Sequence, residues 1–560
     1  MIDNYQIADY FSLLSKLMDI HGENSFKSKS YSSAAFNIEK LSVQLSTLPV
    51  EKIASLPAIG SSTAQKIIEI LSTEKLSSLE EIIAKTPQGI IEMLKIKGIG
   101  PKKINTIWKE MEIETIGELL YACKENRLKL YKGFGEKTQQ NVIDSIEFYF
   151  KNKGSLLYAQ VKLISDDLYS FLLKLFPGNK IEITGAYKRQ LEIINELEFL
   201  IDLNVNKMKT VLMQVEDFKI KEESETFLVL STLVGVNVKL YSTPLNLFIE
   251  NGIKYTSSPE FWDVISSKAD QNLISFNSEN DYFEKLGLPY TPPFLRENPA
   301  ILENAVINKL TEIIQPDEIK GIIHSHSNWS DGSNTIEEMA KACIQKGLEY
   351  LVISDHSKSA FYAQGLSVEK IRAQHDYIDE LNEKLAPFKI FKSIESDILN
   401  DGKLDYEDNV LSRFDLVIAS VHSNLKMSEE KAMSRLLTAI SNPYTTILGH
   451  MTGRLLLSRP GYPVNHKEII DACAMNKVVI ELNAHPSRLD IDWRHINYAI
   501  DKGVLISINP DAHQIEGIDD TKYGVWVAQK AMVTKANNLS SFSLVEFENY
   551  IYEIRKFKGI

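Results

Sequence analysis

From Glu318 to the C-terminus, seven short apolar runs alternate with segments of helical periodicity. No other feature constrains the fold as tightly. The runs cover residues 321–323, 351–354, 390–394, 416–421, 446–448, 478–482 and 504–508. Strands of this length, separated by helices, predict a parallel α/β barrel. In such a barrel the strand ends converge on the C-terminal face, where catalytic groups sit. Here nearly every run ends in a metal-ligand residue type. His324 and His326 follow the first, with Asp331 beyond, and Asp355 and His356 follow the second. Glu395 and then Asp397 follow the third, His422 the fourth, His450 the fifth, and Asp511 and His513 the seventh. Residues i and i+2 of a strand share a face, so His324 and His326 form a pair. The turn at Ser330-Asp331-Gly332 returns a carboxylate towards them.

Of the eleven histidines, all but His21 lie after residue 320. Six imidazoles and several carboxylates packed together without metal would leave buried polar groups unsatisfied. Mixed nitrogen and oxygen donors suit Zn²⁺, Mn²⁺ or Fe²⁺ better than Ca²⁺. So many donors imply two or three divalent ions, with Glu395 placed to bridge two. Such clusters hydrolyse phosphate esters: the ions bind phosphoryl oxygens, activate water near neutral pH and stabilise the leaving oxygen. Asp355 and Asp397 are expected to support the ligands rather than bind metal. Arg454, Arg459 and Arg488 follow His450 and Asn483 and are candidates either for binding the substrate phosphate, since arginine suits bidentate contact, or for structural ion pairs.

A chain of 560 residues predicts several domains. The net charge of −13 offers no bulk attraction for nucleic acid, so such binding must be local. Three widely spaced cysteines argue against a disulfide framework and for a reducing cytoplasm. No apolar stretch approaches the ~20 residues of a membrane helix, and no basic-then-apolar leader opens the sequence. A cytoplasmic monomer with no membrane partner is expected.

Residues 1 to about 85 read as helices, beginning with an Ile7, Phe11, Leu14, Leu17, Met18 stripe. Three similar turns then recur: Leu56 to Gly60, Lys97-Gly98-Ile99-Gly100 with Lys102 and Lys103 after it, and Lys132-Gly133-Phe134-Gly135 with Lys137 after it. Each precedes a helix. Glycine permits close backbone approach, and a helix N-terminus offers free N–H groups to a phosphate. This is the helix-hairpin-helix pattern of DNA-backbone binding, with Gly60, Gly98, Gly100, Gly133 and Gly135 at the contact. Residues 155 to 310 look mixed α/β, with a helix over 161–176 and strands near 180–185, 197–203, 227–230 and 236–241. The stretch 290–299, with its three prolines, predicts an extended linker.

Residues from about 316 onward resemble a PHP (polymerase and histidinol phosphatase) domain. The resemblance implies a distorted (β/α)7 barrel and a trinuclear site held by His324, His326, Asp331, His356, Glu395, His422, His450, Asp511 and His513. Catalysis would centre on His324, His326, Asp331, Glu395, Asp511 and His513. The first half resembles a family X DNA polymerase, so the whole chain resembles the bacterial type with a C-terminal PHP domain. That implies a helical region at 1–85 with the first hairpin, a fingers-like helical region at 86–152, a nucleotidyltransferase-like palm at 153–243, a thumb-like region at 244–300, a linker at 301–317 and the PHP domain at 318–560.

The palm departs from its pattern where chemistry occurs. The Gly-Ser motif is Gly185-Ala186, the Asp-x-Asp pair is Glu196 and Glu198, and the third aspartate is Asn237. Two-metal nucleotidyl transfer needs short carboxylates around octahedral Mg²⁺. Glutamate displaces the oxygens by one methylene, and asparagine removes a charge. An inactive polymerase site is expected, with Mg²⁺ binding there doubtful. Lys66 stands at the position of the lyase lysine that some members of the family carry, and Lys27 and Tyr31 resemble a 5′-phosphate pocket, but a solvated helix lysine is the expected reading. The expected function is a metal-dependent 3′–5′ exonuclease or 3′-end phosphoesterase acting on gapped DNA or 3′ ends in base-excision repair. Its rivals are an active gap-filling polymerase, a histidinol-phosphatase-like phosphatase and a non-catalytic gap-binding protein.

Overall fold

The computed structural model describes residues 2–56, 59–124, 128, 131–151, 154–216, 218–232, 236–269, 276–302, 310–360, 363–457 and 460–560. They fall into two compact units, Met1–Lys153 and Gly154–Ile560.

The first unit is built from α1 (Asn4–His21), α2 (Ser25–Glu39), α3 (Val50–Ile53), α4 (Ser61–Thr73), α5 (Ser77–Ile83), α6 (Gln88–Met93), α7 (Pro101–Lys109), α8 (Ile116–Lys124) and α9 (Glu136–Lys151). Asp3 caps α1 by accepting from Gln6 N at 2.8 Å, and the Gln6 side chain accepts from Asp3 N in return. Gly22, at φ 69°, ends it. The apolar stripe of α1 is buried. Segments 1–85 and 86–152 are not packed separately. They share one apolar core, with Ile7, Phe11 and Leu17 in the same cluster as Ile104, Ile107 and Phe134. Asn105 Nδ2 donates to Ile20 O at 2.7 Å, and the Trp108 and His21 rings meet edge-on at 5.0 Å.

In the second unit a small ribbon pairs β1 (Leu156–Leu157) with β3 (Ile193–Ile194). A five-stranded sheet runs β2-β4-β7-β6-β5, from β2 (Ile181–Thr184), β4 (Glu196–Ile201), β5 (Phe218–Glu223), β6 (Phe227–Thr232) and β7 (Asn237–Ser242). Only β4 and β7 pair parallel. The helix Tyr158–Leu175 contributes Val161 and Leu172 to the sheet's core. Edge strand β5 was not expected. Its sequence, Phe-Lys-Ile-Lys-Glu-Glu, is mostly exposed, as charged edge strands are.

Helices Phe248–Tyr255, Pro259–Ser266 and Glu279–Lys285 follow, with Ile253, Phe261, Ile265, Tyr282 and Phe283 as their core. The expected linker at 290–299 is instead packed structure. Arg296 is fully buried there, donating from Nε to Thr291 O at 2.8 Å and pairing with Glu279. The prolines start short 3-10 turns, Pro293–Leu295 and Pro299–Leu302, rather than an open spacer. Of the expected linker at 301–317, residues 303–309 lie outside the described residues. Ile313 and Ile314 are buried, and Ile314 N donates to Val533 O at 2.8 Å.

The C-terminal region forms the seven-stranded parallel sheet in chain order: β8 (Gly321–Ile322), β9 (Tyr350–Ile353), β10 (Lys389–Asp397), β11 (Leu416–Ser420), β12 (Ile447–Leu448), β13 (Val479–Asn483) and β14 (Ile506–Asn509). β9, β11, β13 and β14 are buried along their whole length, as parallel strands covered on both faces are. A bridge between Ser325 and Ala512, with His326 N donating to Ala512 O at 2.8 Å, brings the two edge strands together and nearly closes the barrel. β10 is longer than expected, so Glu395 and Asp397 lie on the strand itself, in register with Ile418 and Ser420.

Candidate metal centre

The barrel topology brings all nine candidate ligands to one mouth. Three groups of donors each lie within 4.8 Å: His326, Asp331, His356 and His513; His324, His326 and Asp511; and His356, Glu395 and His422. His450 joins them through Nε2, 3.0 Å from Glu395 Oε1. Glu395 is the hub. Its Oε1 lies 3.1 Å from His422 Nε2 and 3.3 Å from His324 Nε2, and its Oε2 lies 3.0 Å from His356 Nδ1.

Outer partners fix the tautomers of three imidazoles. His324 donates from Nδ1 to Glu481 Oε2 at 2.6 Å, His422 from Nδ1 to Asp397 Oδ1 at 2.5 Å, and His513 from Nδ1 to Asp511 O at 2.9 Å. Each turns Nε2 towards carboxylate oxygen, where the neutral ring would offer its lone pair to a metal, as metal-ligating histidines do. His324 Nε2, His326 Nδ1 and Glu395 Oε2 are buried and make no well-aligned hydrogen bond among the described residues. Burial without a partner is costly, and a cation would relieve it. The donor set therefore fits divalent ions.

The electrostatics agree. Burial, reinforced by His513 and His356, pushes His326 down to about 3 and keeps it neutral. Burial would also lower His422, but Glu395 and Asp397 hold it up to about 10. Burial would raise the carboxyls of Glu395 and Asp511, yet neighbouring imidazoles hold both well below the usual range. Against burial, the carboxylates also hold His324 and His513 up, so protonated imidazoles balance the carboxylates here and a bound cation would displace those protons.

Two ligands sit on left-handed backbone, His324 at φ 67° and Asp511 at φ 53°. Such non-glycine conformations cost about 1 kcal/mol or more each and collect at functional sites. Asp355, an expected support, accepts from Ser327 N at 2.8 Å, Ser327 Oγ at 2.7 Å and Gln374 Nε2 at 2.6 Å, so it anchors the loop after β8. Asp397 likewise accepts from Ser359 Oγ at 2.8 Å as well as from His422.

Glu481, on β13, was missed because it lies inside an apolar run. It is fully buried and also accepts from His450 N at 3.1 Å, Asn483 Nδ2 at 3.0 Å and Asn509 Nδ2 at 2.8 Å. The three arginines separate. Arg454 spends its donors on the turn after β13: Nε to Arg488 O at 2.9 Å, Nη1 to Asp492 Oδ2 at 2.8 Å and Nη2 to Leu489 O. These bonds clasp the two loops together. Arg459 lies outside the described residues. Arg488 stands at the mouth, with Nε 3.7 Å from Asp511 Oδ2.

In the palm-like sheet, Glu196 and Glu198 share a face of β4, with Asn237 opposite Glu196 on β7. The one-methylene extension turns Glu198 inward. It accepts from Ala186 N at 3.3 Å and from Tyr241 OH at 3.0 Å, and packs so tightly on Gly185 that a Cβ there would lie 2.0 Å from its Oε1. Burial raises its pKa. Lys239 Nζ lies 3.9 Å from Glu196 Oε2, and Lys221 Nζ donates to Asn237 Oδ1 at 2.9 Å. Among the described residues, no group of three metal donors forms here.

In the first unit, Gly60 and Gly100 are N-caps of α4 and α7, at φ −75° and −89°. Gly98 and Gly133 hold φ 91°, which favours glycine. Gly60, Gly100 and Gly135 need no such conformation, and a Cβ on any of them would meet nothing within 4 Å. Their missing side chains leave helix N-termini bare towards solvent, with Lys102 and Lys137 exposed beside them. Lys103 instead bonds Gly98 O at 3.3 Å. Pro57 and Ala58 of the first turn lie outside the described residues. Lys66 on α4 donates to Ser78 Oγ at 3.0 Å and lies 5.9 Å from the Tyr31 ring centre.

A seven-stranded parallel barrel with imidazoles and carboxylates gathered at its mouth defines a PHP-type domain behind a helical and α/β region. Family comparison agrees: residues 323–485 match the PHP domain, 2–76 a helix-hairpin-helix domain and 90–147 a SAM-like helix-hairpin-helix tandem. The DNA polymerase/3′-5′ exonuclease PolX of Bacillus subtilis is 32% identical over 554 residues, covering 95% of this chain and 96% of that protein. The chain belongs to that family, the family X DNA polymerases with a C-terminal PHP domain. A probable phosphatase of Thermoanaerobacter sp. is 26% identical over 229 residues, 38% of this chain and 86% of its own length. One from Caldanaerobacter subterraneus is 29% identical over 171 residues, 29% of this chain and 60% of its own. No helix among the described residues is long and apolar enough to cross a membrane.

Proposed function

We propose that the chain is a DNA-end-processing phosphoesterase whose PHP centre removes nucleotides or blocking groups from 3′ ends, and whose polymerase site is inactive. The observation that carries this is the meeting of nine candidate ligands from six strand ends at one mouth, with outer partners fixing three imidazole tautomers. His324, His326, Asp331, His356, Glu395, His422, His450, Asp511 and His513 would hold two or three divalent ions. Mn²⁺, Zn²⁺ and Fe²⁺ suit these donors. Bound there, the ions supply activation of water and positive charge for phosphoryl oxygens. The protein's part is to hold the donors: Glu395 spans the cluster, while Glu481 and Asp397 orient His324 and His422.

Bare helix N-termini at Gly60, Gly100 and Gly135, with Lys102 and Lys137, would hold the DNA backbone. Such contacts grip phosphates without reading sequence. In the palm, Glu198 occupies the amide of Ala186 and Lys239 faces Glu196, so no acidic pair stands free for Mg²⁺. The palm then serves as a scaffold.

Primer extension with Mg²⁺ or Mn²⁺ tests the second half of the proposal. Background incorporation by purified protein is expected, and robust incorporation lost on Glu198→Ala would overturn it. A whole-chain relative named as a polymerase keeps the gap-filling reading open to that assay.

A further inference from the structure

Asp397 ends β10 and His422 stands just past β11, and one buried arginine holds the chain beyond both. Arg435 lies on the helix Glu429–Ser441 and is 1% exposed. Its guanidinium donates from Nε to Leu399 O at 3.1 Å, from Nη1 to Ser423 O at 3.1 Å, and from Nη2 to Ile398 O. Nη1 also lies 3.6 Å from Met427 Sδ. These partners are carbonyls and a thioether rather than a carboxylate. Burying a guanidinium is costly unless its donors are met, and here the planar fork meets carbonyls of two separate loops at once. Ile398 and Leu399 follow Asp397 directly, and Ser423 follows His422.

Asp397 and His422 depend on each other. The His422 Nδ1 bond to Asp397 Oδ1 aims Nε2 at Glu395 Oε1, 3.1 Å away. That bond needs the two loops at a fixed spacing. Ile398 N donates to Ser420 O at 2.7 Å and sets the strand ends side by side. Beyond it the loop after β10 turns back on itself, with Leu399 N donating to Lys403 O at 2.8 Å. This turn rests on the arginine's own helix: a Cβ on Gly402 would lie 2.9 Å from Arg435 O and 2.5 Å from Thr438 Cβ. The chain leaving the turn delivers Asp405, which accepts from Ser359 N at 2.6 Å, and Ser359 Oγ donates to Asp397 Oδ2 at 2.8 Å. Arg435 thus underlies Asp397 through Ile398 and Leu399, and His422 through Ser423.

We infer that Arg435 is a positioning residue for the donor group of His356, Glu395 and His422, one of the three groups at the mouth. It acts through main chain on either side of the Asp397–His422 bond. Its loss lets the two loops separate, removes the bond that fixes the His422 tautomer, and costs the ion held by that group. His326, Asp331 and His513 hang on other loops and keep their ion. The inference rests on the reading of the mouth as a metal centre and is independent of the substrate.

The test uses full-length protein purified with its own metals. Ions per chain are counted by mass spectrometry on the monodisperse fraction, beside the thermal midpoint and 3′-end shortening of single-stranded DNA. Arg435→Met, which keeps much of the volume beside Met427, is expected to lose about one ion per chain rather than all of them. His422→Ala should lose the same ion. The double variant should then hold no fewer ions than His422→Ala alone, because both changes act on one ligand. Arg435→Lys, which restores a charged donor without the fork, should keep that ion but bind it about tenfold or more weakly in a metal-buffered titration. Where Arg435→Met does not fold, Arg435→Lys carries the comparison. Wild-type ion content and affinity in the Arg435 variants overturn the inference, and so does a double variant that loses a further ion. If wild type holds its ions but leaves DNA intact, and the Arg435 variants still lose or weaken one, the positioning role stands and the DNA-processing reading falls. Wild type that binds no divalent ion removes the metal centre and this inference together.

Discussion

Glu481 accepts four hydrogen bonds while fully buried, and two of them reach candidate ligands, His324 through Nδ1 and His450 through its backbone N–H. Removing such an outer partner commonly costs 10–100-fold in metal affinity, and about that loss is expected for Glu481→Gln. The amide keeps the shape but exchanges one acceptor oxygen for a donor that faces donors. A metal-buffered titration checks this, and unchanged affinity would contradict it. Glu198 gives the opposite forecast. Its carboxylate is the acceptor for Ala186 N and Tyr241 OH, so Glu198→Ala should cost about 1–3 kcal/mol in thermal or denaturant unfolding while primer extension stays at background. A catalytic carboxylate would behave in reverse, losing activity with little loss of stability.

At the scale of elements, the hairpin glycines divide by backbone. Gly100 and Gly135 are predicted to tolerate alanine with a thermal shift of only a few degrees, yet to lose several-fold in DNA affinity by filter binding or fluorescence anisotropy, because the methyl covers bare amides. Gly98→Ala, at φ 91°, should destabilise the first unit by about 1 kcal/mol or more whether or not DNA binds there. Equal thermal losses at all three would remove the argument that Gly100 and Gly135 are open for a ligand.

The barrel was legible because buried parallel strands appear as continuous apolar runs and the ligands stand just beyond them. What escaped was polar structure inside or beside those runs. Glu481 sits within a strand. Strand β5 escaped because its exposed Lys and Glu side chains resemble a loop. The stretch 290–299 was misread because proline marks both extended chain and 3-10 turns, and only burial of Arg296 against Glu279 and Thr291 decides between them.

At the scale of the molecule, Lys530 ties distant parts of the second unit together. Its side chain is fully buried, donates to Arg189 O at 2.8 Å, lies 4.0 Å from Glu297 and stands over the Trp493 ring. Burial, partly offset by Glu297 and Glu192, lowers its pKa from 10.5 to about 8. The unfolded chain therefore holds this proton over a pH range where the folded chain has released it. Stability contributed at this site rises between about pH 8 and 10.5 and is level below pH 8, where both states hold the proton. Relative to Lys530→Met, wild type should gain in thermal midpoint as pH is raised from 8 to 10. A constant gap between the two would refute the shifted lysine.

The central claim is that the PHP mouth is the working catalytic centre of this chain. Its most direct test follows degradation of a 3′-labelled single-stranded or gapped DNA in Mn²⁺ by wild type and by the His324→Ala, His326→Ala double variant, with bound metal measured on both proteins. The account predicts 3′-end shortening by wild type and loss of both shortening and bound metal in the double variant. Undiminished 3′ degradation by the double variant would place the activity at another site.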